Sequence, residues 1–197
     1  MISNSPSEDV FLNMKQLFLA LILLSFVQMA TAQDYVREMD RKTGKPILRG
    51  KITFQQIEKE TVNNWFHKGA DEYEPNSLAI KDLRALWSPY RFVVFAGTWC
   101  EDTRVLLPKF YKVLNMADID LHAVEMYGVD RNKETLNLEH IFYNIKRVPT
   151  IIIMHQKREI GRIVENVNVS IEEDMLRIIE KDAKELERIR AASKVNN

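Results

Sequence analysis

The sequence predicts a mixed α/β domain, with a central sheet carrying helices on both faces and a helical N-terminal extension ahead of it. Three observations carry that prediction. Phe92–Ala96 (FVVFA) is an unbroken apolar run between turn residues, as suits a strand buried on both faces. Segments of helical periodicity lie on either side of it. Near the end, Ile151–Met154 and Glu159–Glu165 read as strands joined by the short turn His155–Arg158, which forces them antiparallel. The resulting order is strand, helix, strand, helix, strand, strand, helix, with right-handed crossovers expected between parallel strands.

The first 32 residues read as an export signal. From Met14 the chain runs MKQLFLALILLSFVQMATAQ: a lysine, a short apolar stretch, then Ala30-Thr31-Ala32 as a cleavage site before Gln33. Met14 suits a true start better than the acidic MISNSPSEDVFLN before it. The apolar stretch is short for a membrane span. The expectation is therefore a periplasmic or secreted protein with no stable membrane anchor after cleavage.

Residues 33–90 form the extension. Gln33–Lys51 is polar and reads as an extended arm. Thr53 caps a predicted helix with Phe54, Ile57, Thr61-Val62 and Trp65-Phe66 on one face, ended by Gly69. Ser77 caps a shorter one carrying Leu78, Leu83, Leu86 and Trp87, broken by Ser88-Pro89. Trp65, Phe66, Tyr73 and Trp87 are expected to pack the extension onto the main domain, residues 91–192.

Within that domain, Asp102–Ala117 is predicted helical with a kink at Pro108. Ile119–Tyr127 reads as a strand. In Glu134–Ile145 the apolar residues Leu138, Ile141, Phe142 and Ile145 fall at helical spacing. Ser170 and Glu173 form a capping-box pattern before the last helix, whose inner face is Ile171, Met175, Ile178-Ile179 and Leu186. The same capping role accounts for the sequon Asn168-Val169-Ser170. Residues 193–197 are expected as a disordered tail.

Composition narrows the function. Twenty-eight basic and 28 acidic residues cancel, which argues against a nucleic-acid partner. The six glycines form no phosphate loop. His67, His122, His140 and His155 are scattered, and Cys100 has no partners at metal-ligand spacing. No cofactor or metal is expected. Cys100 is the sole cysteine, so an exported chain would carry an unpaired thiol in an oxidising compartment.

That cysteine stands in F-A-G-T-W-C-E-D-T-R-V-L-L-P, Phe95–Pro108. An apolar strand runs into Trp99-Cys100, Pro108 follows eight residues on, and Val148-Pro149-Thr150 precedes another strand. With these features in this order, residues from about Phe92 to Ala192 resemble the thioredoxin-like superfamily. More narrowly, G-T-W-C-E-D-T resembles secreted thioredoxin-like proteins of Gram-negative bacteria that carry W-C-x-D-S/T variants.

The resemblance implies a thioredoxin-like fold with Cys100 as the attacking thiol at a helix N-terminus, where the dipole and free N–H groups favour the thiolate. Glu101 and Asp102 oppose that effect. Trp99 would shield the site. Pro149 would be cis and would present the Val148 backbone to a substrate peptide. Two departures matter. Thr103 replaces the second cysteine of dithiol members and is placed to hydrogen-bond the Cys100 thiolate. Val94 replaces the buried acid that many members carry six residues before the cysteine. The implied function is thiol–disulfide exchange by a monothiol protein. Its partner would be a disulfide-containing protein or a low-molecular-weight thiol. The alternative is a thioredoxin-fold binding module or redox sensor.

Overall fold

A computed structural model describes residues 34–60 and 64–195. The export-signal expectation for residues 1–32, the Thr61-Val62 positions and residues 196–197 lie outside the described residues. Asp34 onward forms one compact unit.

The first departure from the sequence reading comes at once. The expected extended arm is a β-hairpin, β1 (Tyr35–Met39) and β2 (Pro46–Ile52), paired antiparallel. Polar residues obscured it because β1 is an edge strand, mostly exposed or half-buried, whereas β2 buries Ile47, Leu48 and Ile52. Helix α1 (Phe54–Lys59) starts at Thr53, in a complete capping box with Gln56. Helix α2 (Asn64–Asp71) runs past Gly69, which does not end it. Helix α3 (Ser77–Leu86) is capped by Asn76, one residue earlier than expected, whose side chain accepts from the Leu78 and Ala79 N–H groups.

Strand β3 (Tyr90–Ala96) leads to α4 (Glu101–Met116), which contains Pro108. A 3₁₀ turn, Leu121–Ala123, capped by Asp120, takes the first half of the predicted second strand, so β4 is only Val124–Gly128. Strands β5 (Thr150–His155) and β6 (Arg158–Val164) form the expected hairpin, and α6 (Ile171–Val195) closes the chain. Residues 193–195, expected as tail, continue that helix. Ion pairs of the Lys184–Glu180 and Arg188–Glu185 kind along its exposed side favour helix.

The sheet order is β1-β2-β4-β3-β5-β6, with β3 and β4 parallel and every other pair antiparallel. The central strands β4, β3 and β5, with α4 ahead of β4 and α6 after β6, make the fold thioredoxin-like. The hairpin β1–β2 extends the sheet beyond β4 and so removes that strand's free edge.

Strand β3 explains the layering. Phe92, Val94 and Ala96 face a core shared with α1, α2, α3, α4 and α6, in which Phe66, Leu83, Phe110, Leu114 and Ile179 are fully buried. Val93 and Phe95 face the opposite side, packed with Tyr127, Val129, Ile145, Val148 and Ile152. The extension and the main domain thus share one core. Phe66 is fully buried in it, and Trp65, Tyr73 and Trp87 pack against it. Glu172 on α6 adds a polar tie, accepting from the Tyr73 hydroxyl at 2.7 Å and the Asn76 N–H at 2.9 Å. Burial is the largest influence on this carboxyl and opposes its ionisation. Hydrogen bonds from Asn76, Tyr73, its own N–H and Ser170 together outweigh it and leave the carboxyl below its ordinary value.

The expected helix Glu134–Ile145 shrinks to a single turn, α5 (Glu139–Phe142). Side chains claim the backbone groups that a helix would use. Arg49 donates to the Thr135 carbonyl at 3.0 Å and the Thr135 hydroxyl donates to the Asn137 carbonyl at 3.1 Å, two acceptors that a helix over this stretch would need for its own N–H groups. Of the four apolar residues at helical spacing, only Ile145 is buried. Leu138, Ile141 and Phe142 are exposed by 64–80%.

Candidate active site

The register of β3 with β5 builds the site. Phe95 pairs with Thr150, so Gly97–Cys100 at the end of β3 meets Arg147–Pro149 at the start of β5. Cys100 is the N-cap of α4, and its carbonyl accepts the Arg104 N–H at 3.2 Å. Its side chain caps nothing. The sulfur is half-buried and instead donates to the Val148 carbonyl at 3.3 Å. The Val148–Pro149 peptide is cis, and the Pro149 carbonyl accepts from the Glu165 N–H at 2.8 Å.

Thr103 sits one turn along α4 and is fully buried. Its hydroxyl accepts from the Gly97 N–H at 3.3 Å, so its hydrogen bond goes to the turn ahead of Cys100 and not to the sulfur. Arg104, which no sequence signal marked, does related work: its Nε donates to the Thr98 carbonyl at 3.1 Å, and its Nη1 reaches Glu101 at 3.4 Å. Threonine and arginine together pin Gly97–Cys100 from inside the helix. Thr98 lies in the same turn, and its buried hydroxyl has no partner among the described residues. Val94 is fully buried in the core on the opposite face of β3 from Phe95, and a valine there supplies no acid.

Trp99 closes one side. Its indole donates to the Val129 carbonyl at 3.0 Å, and its ring lies so close to Gly97 that a Cβ there would stand 2.8 Å from it. It packs with Cys100, Tyr143 and Val148 against Phe95 and Tyr127. Over the Trp99 ring, 5.0 Å from its centre, lies the guanidinium of Arg131. Arg131 in turn donates from Nε and Nη2 to both carboxylate oxygens of Asp40, at 2.8 and 2.7 Å. Asp40 sits buried at the tip of the β1–β2 hairpin, where it also accepts from the Thr43 hydroxyl and the Lys42 N–H. Arg131 and then Thr43 hold this carboxyl well below the usual carboxylate range, against its burial.

The structure therefore brings Cys100, Trp99, Val148, Pro149 and Thr103 together and adds Asp40, Arg104 and Arg131. The added residues carry no local signature: Asp40 and Arg131 are 91 residues apart in sequence.

The chain has a thioredoxin-like fold, with its one cysteine at the N-terminus of α4 against the cis-proline loop that enters β5. Among solved structures, the chain is similar to a protein of unknown function from Pseudomonas aeruginosa, at 15% identity and a TM-score of 0.50, over 67% of this chain and 93% of that one. It is also similar to an HIV epitope-scaffold, at 15% identity and a TM-score of 0.49, over 66% and 93% of the two chains. Thioredoxin O2 from Arabidopsis thaliana is 21% identical, with a TM-score of 0.35, over 53% of this chain and 83% of that one. No protein-family model and no curated protein matches the sequence.

Proposed function

We propose that this chain is a monothiol thioredoxin-like protein that exchanges disulfides through Cys100. The observation that carries the reading is the placement of that thiol at the N-terminus of α4 against the Val148 carbonyl, with Thr103 in the position from which a second thiol would resolve a mixed disulfide. In the first step the Cys100 thiolate attacks one sulfur of a substrate disulfide. A Cys100–substrate disulfide forms, the substrate's S–S bond breaks, and the other sulfur leaves as a thiolate. In the second step an external thiolate attacks the mixed disulfide, forms a new disulfide with the substrate sulfur and releases the Cys100 thiolate. Oxidation and reduction balance over the cycle, so the products are exchanged partners with no net change in oxidation state.

The partner proposed is a disulfide-containing protein or a low-molecular-weight thiol. The place proposed is the periplasm or the exterior of a bacterium, on the strength of the apolar N-terminal stretch and its Ala30-Thr31-Ala32 site. A second reading, a thioredoxin-fold binding module or redox sensor, is favoured by the exposed Leu138, Ile141 and Phe142 beside Tyr143, which packs onto the site's own cluster.

The test is exchange between a peptide–glutathione mixed disulfide and free glutathione. The wild-type chain is expected to accelerate it, and Cys100→Ser to abolish the acceleration. Equal rates for the two proteins would overturn the exchange reading in favour of the binding module.

A further inference from the structure

The β1–β2 hairpin has no evident part in the exchange chemistry, yet its tip reaches the site. Asp40 fixes the Arg131 guanidinium through both carboxylate oxygens. That fork-to-fork geometry sets orientation as well as position. Trp99 fixes it from below, through its ring face. Trp99 is the chain neighbour of Cys100 and packs in the same cluster with it. Arg131 keeps 35% of its side chain exposed, and its Nη1 is not engaged by Asp40.

We propose that Arg131, anchored by Asp40 and stacked on Trp99, is a positioning residue for the thiol chemistry, a fixed cation that favours negative charge on the Cys100 sulfur. The inference rests on the reading of Cys100 as a reactive thiol.

The surrounding charges support this assignment. Glu101 is largely exposed and paired with Arg104, while Asp102 points to solvent. Asp130 accepts within its own loop and faces Arg49 at 3.9 Å. The other nearby pair, Arg147–Glu165, is internally neutralised at 2.8 Å. Asp40 offsets Arg131's charge, but it lies on the hairpin side of the guanidinium and Trp99 on another. The link to the thiol is geometric: Arg131 lies over the Trp99 ring, and Trp99 packs in one cluster with its chain neighbour Cys100, while the hydrogen bond to Asp40 is the chief cause that raises Arg131 above its ordinary value. A cation so placed helps both half-reactions. It favours the attacking thiolate and also favours Cys100 as the leaving thiolate when the mixed disulfide is cleaved.

The experiment is alkylation of Cys100 at pH 7 by iodoacetamide. This reagent is neutral, so steering of the reagent does not enter. Arg131→Gln is expected to slow labelling about threefold or more, since one unit of pKa is tenfold in the thiolate population. Arg131→Lys keeps the charge and is expected to recover most of the rate, while Asp40→Asn, with the arginine loosened, falls between. Raising salt from 0.1 M to 1 M shortens the screening length from about 10 Å to about 3 Å, and is expected to slow the wild type toward the Arg131→Gln rate. The double variant Asp40→Asn/Arg131→Gln removes both charges and leaves an amide pair able to hydrogen-bond. Compared with Asp40→Asn alone, it isolates loss of the cation if Arg131→Gln alone unfolds, and is expected to label more slowly than Asp40→Asn. Wild-type rates in the charge-free variants, or an Arg131→Lys rate no better than that of Arg131→Gln, would overturn the proposal. Alkylation is independent of exchange turnover. A wild type inactive in exchange but sensitive to Arg131 would sink the exchange reading and leave this inference standing.

Discussion

The Cys100 sulfur lies 3.3 Å from the Val148 carbonyl oxygen, across 48 residues of chain. The contact joins the first turn of α4 to the loop that enters β5, and only the S–H form can donate in it. Ionisation of the sulfur would therefore release the Val148 carbonyl. A substrate backbone N–H brought to that carbonyl would find a free acceptor.

Thr103 separates local support from chemistry. Its hydroxyl is the acceptor for the buried Gly97 N–H. Thr103→Val removes that acceptor and is expected to cost about 1–3 kcal/mol, the usual penalty for an orphaned buried donor, while Thr103→Ser keeps most of the stability. Urea denaturation of the three proteins checks it. Equal midpoints for valine and threonine would show that the Gly97 bond contributes nothing.

Gly69 on α2 is a close-approach position. A Cβ there would stand 2.9 Å from Pro108 Cγ and 3.0 Å from Pro108 Cβ. Gly69→Ala gains about 1 kcal/mol of helix propensity. Overpacking against the proline ring of α4 costs about 1–3 kcal/mol. The expected outcome is a net loss of stability and a lower melting temperature. A raised melting temperature would mean that α2 gives way at no cost.

Asp40 sets an acid limit. Its carboxyl lies below the ordinary range in the folded chain, so the unfolded chain binds the proton more readily. The stabilisation is fully present above about pH 5, where an unfolded aspartate is almost wholly ionised, and it is lost as pH falls through the lower folded value. Wild-type stability should fall between pH 5 and pH 2 more steeply than that of Asp40→Asn, whose residue 40 does not titrate. Parallel curves in denaturation series across that range would contradict the assignment.

Ile141 and Phe142 test the single-turn α5. Both are exposed, so Ile141→Ser and Phe142→Ser should each change stability by no more than about 0.5 kcal/mol. Ile145→Ser, at a buried position of the same predicted stripe, should cost several times more. Comparable losses at all three would restore the long amphipathic helix that the spacing suggested.

The sequence alone determined what short-range physics can write. The apolar run of β3, the helix cap at Thr53, the β5–β6 hairpin and the run from Trp99-Cys100 to Pro108 are all legible because apolar patterning, caps and turns act within a few residues. Ser170 is a partial case: its hydroxyl accepts the Glu173 N–H at 3.3 Å, but the Glu173 carboxylate turns to Asn76 on the neighbouring loop. Tertiary structure decided the rest. Helical spacing at 134–145 lost to Arg49 and Thr135, whose side chains took the Thr135 and Asn137 carbonyls that a helix needs. Asp40 met Arg131 only because β2 pairs with β4 and carries the hairpin tip to the loop after that strand. A charge pair formed across 91 residues leaves no trace in either local stretch, and the cation over the Trp99 ring became visible only when the sheet closed.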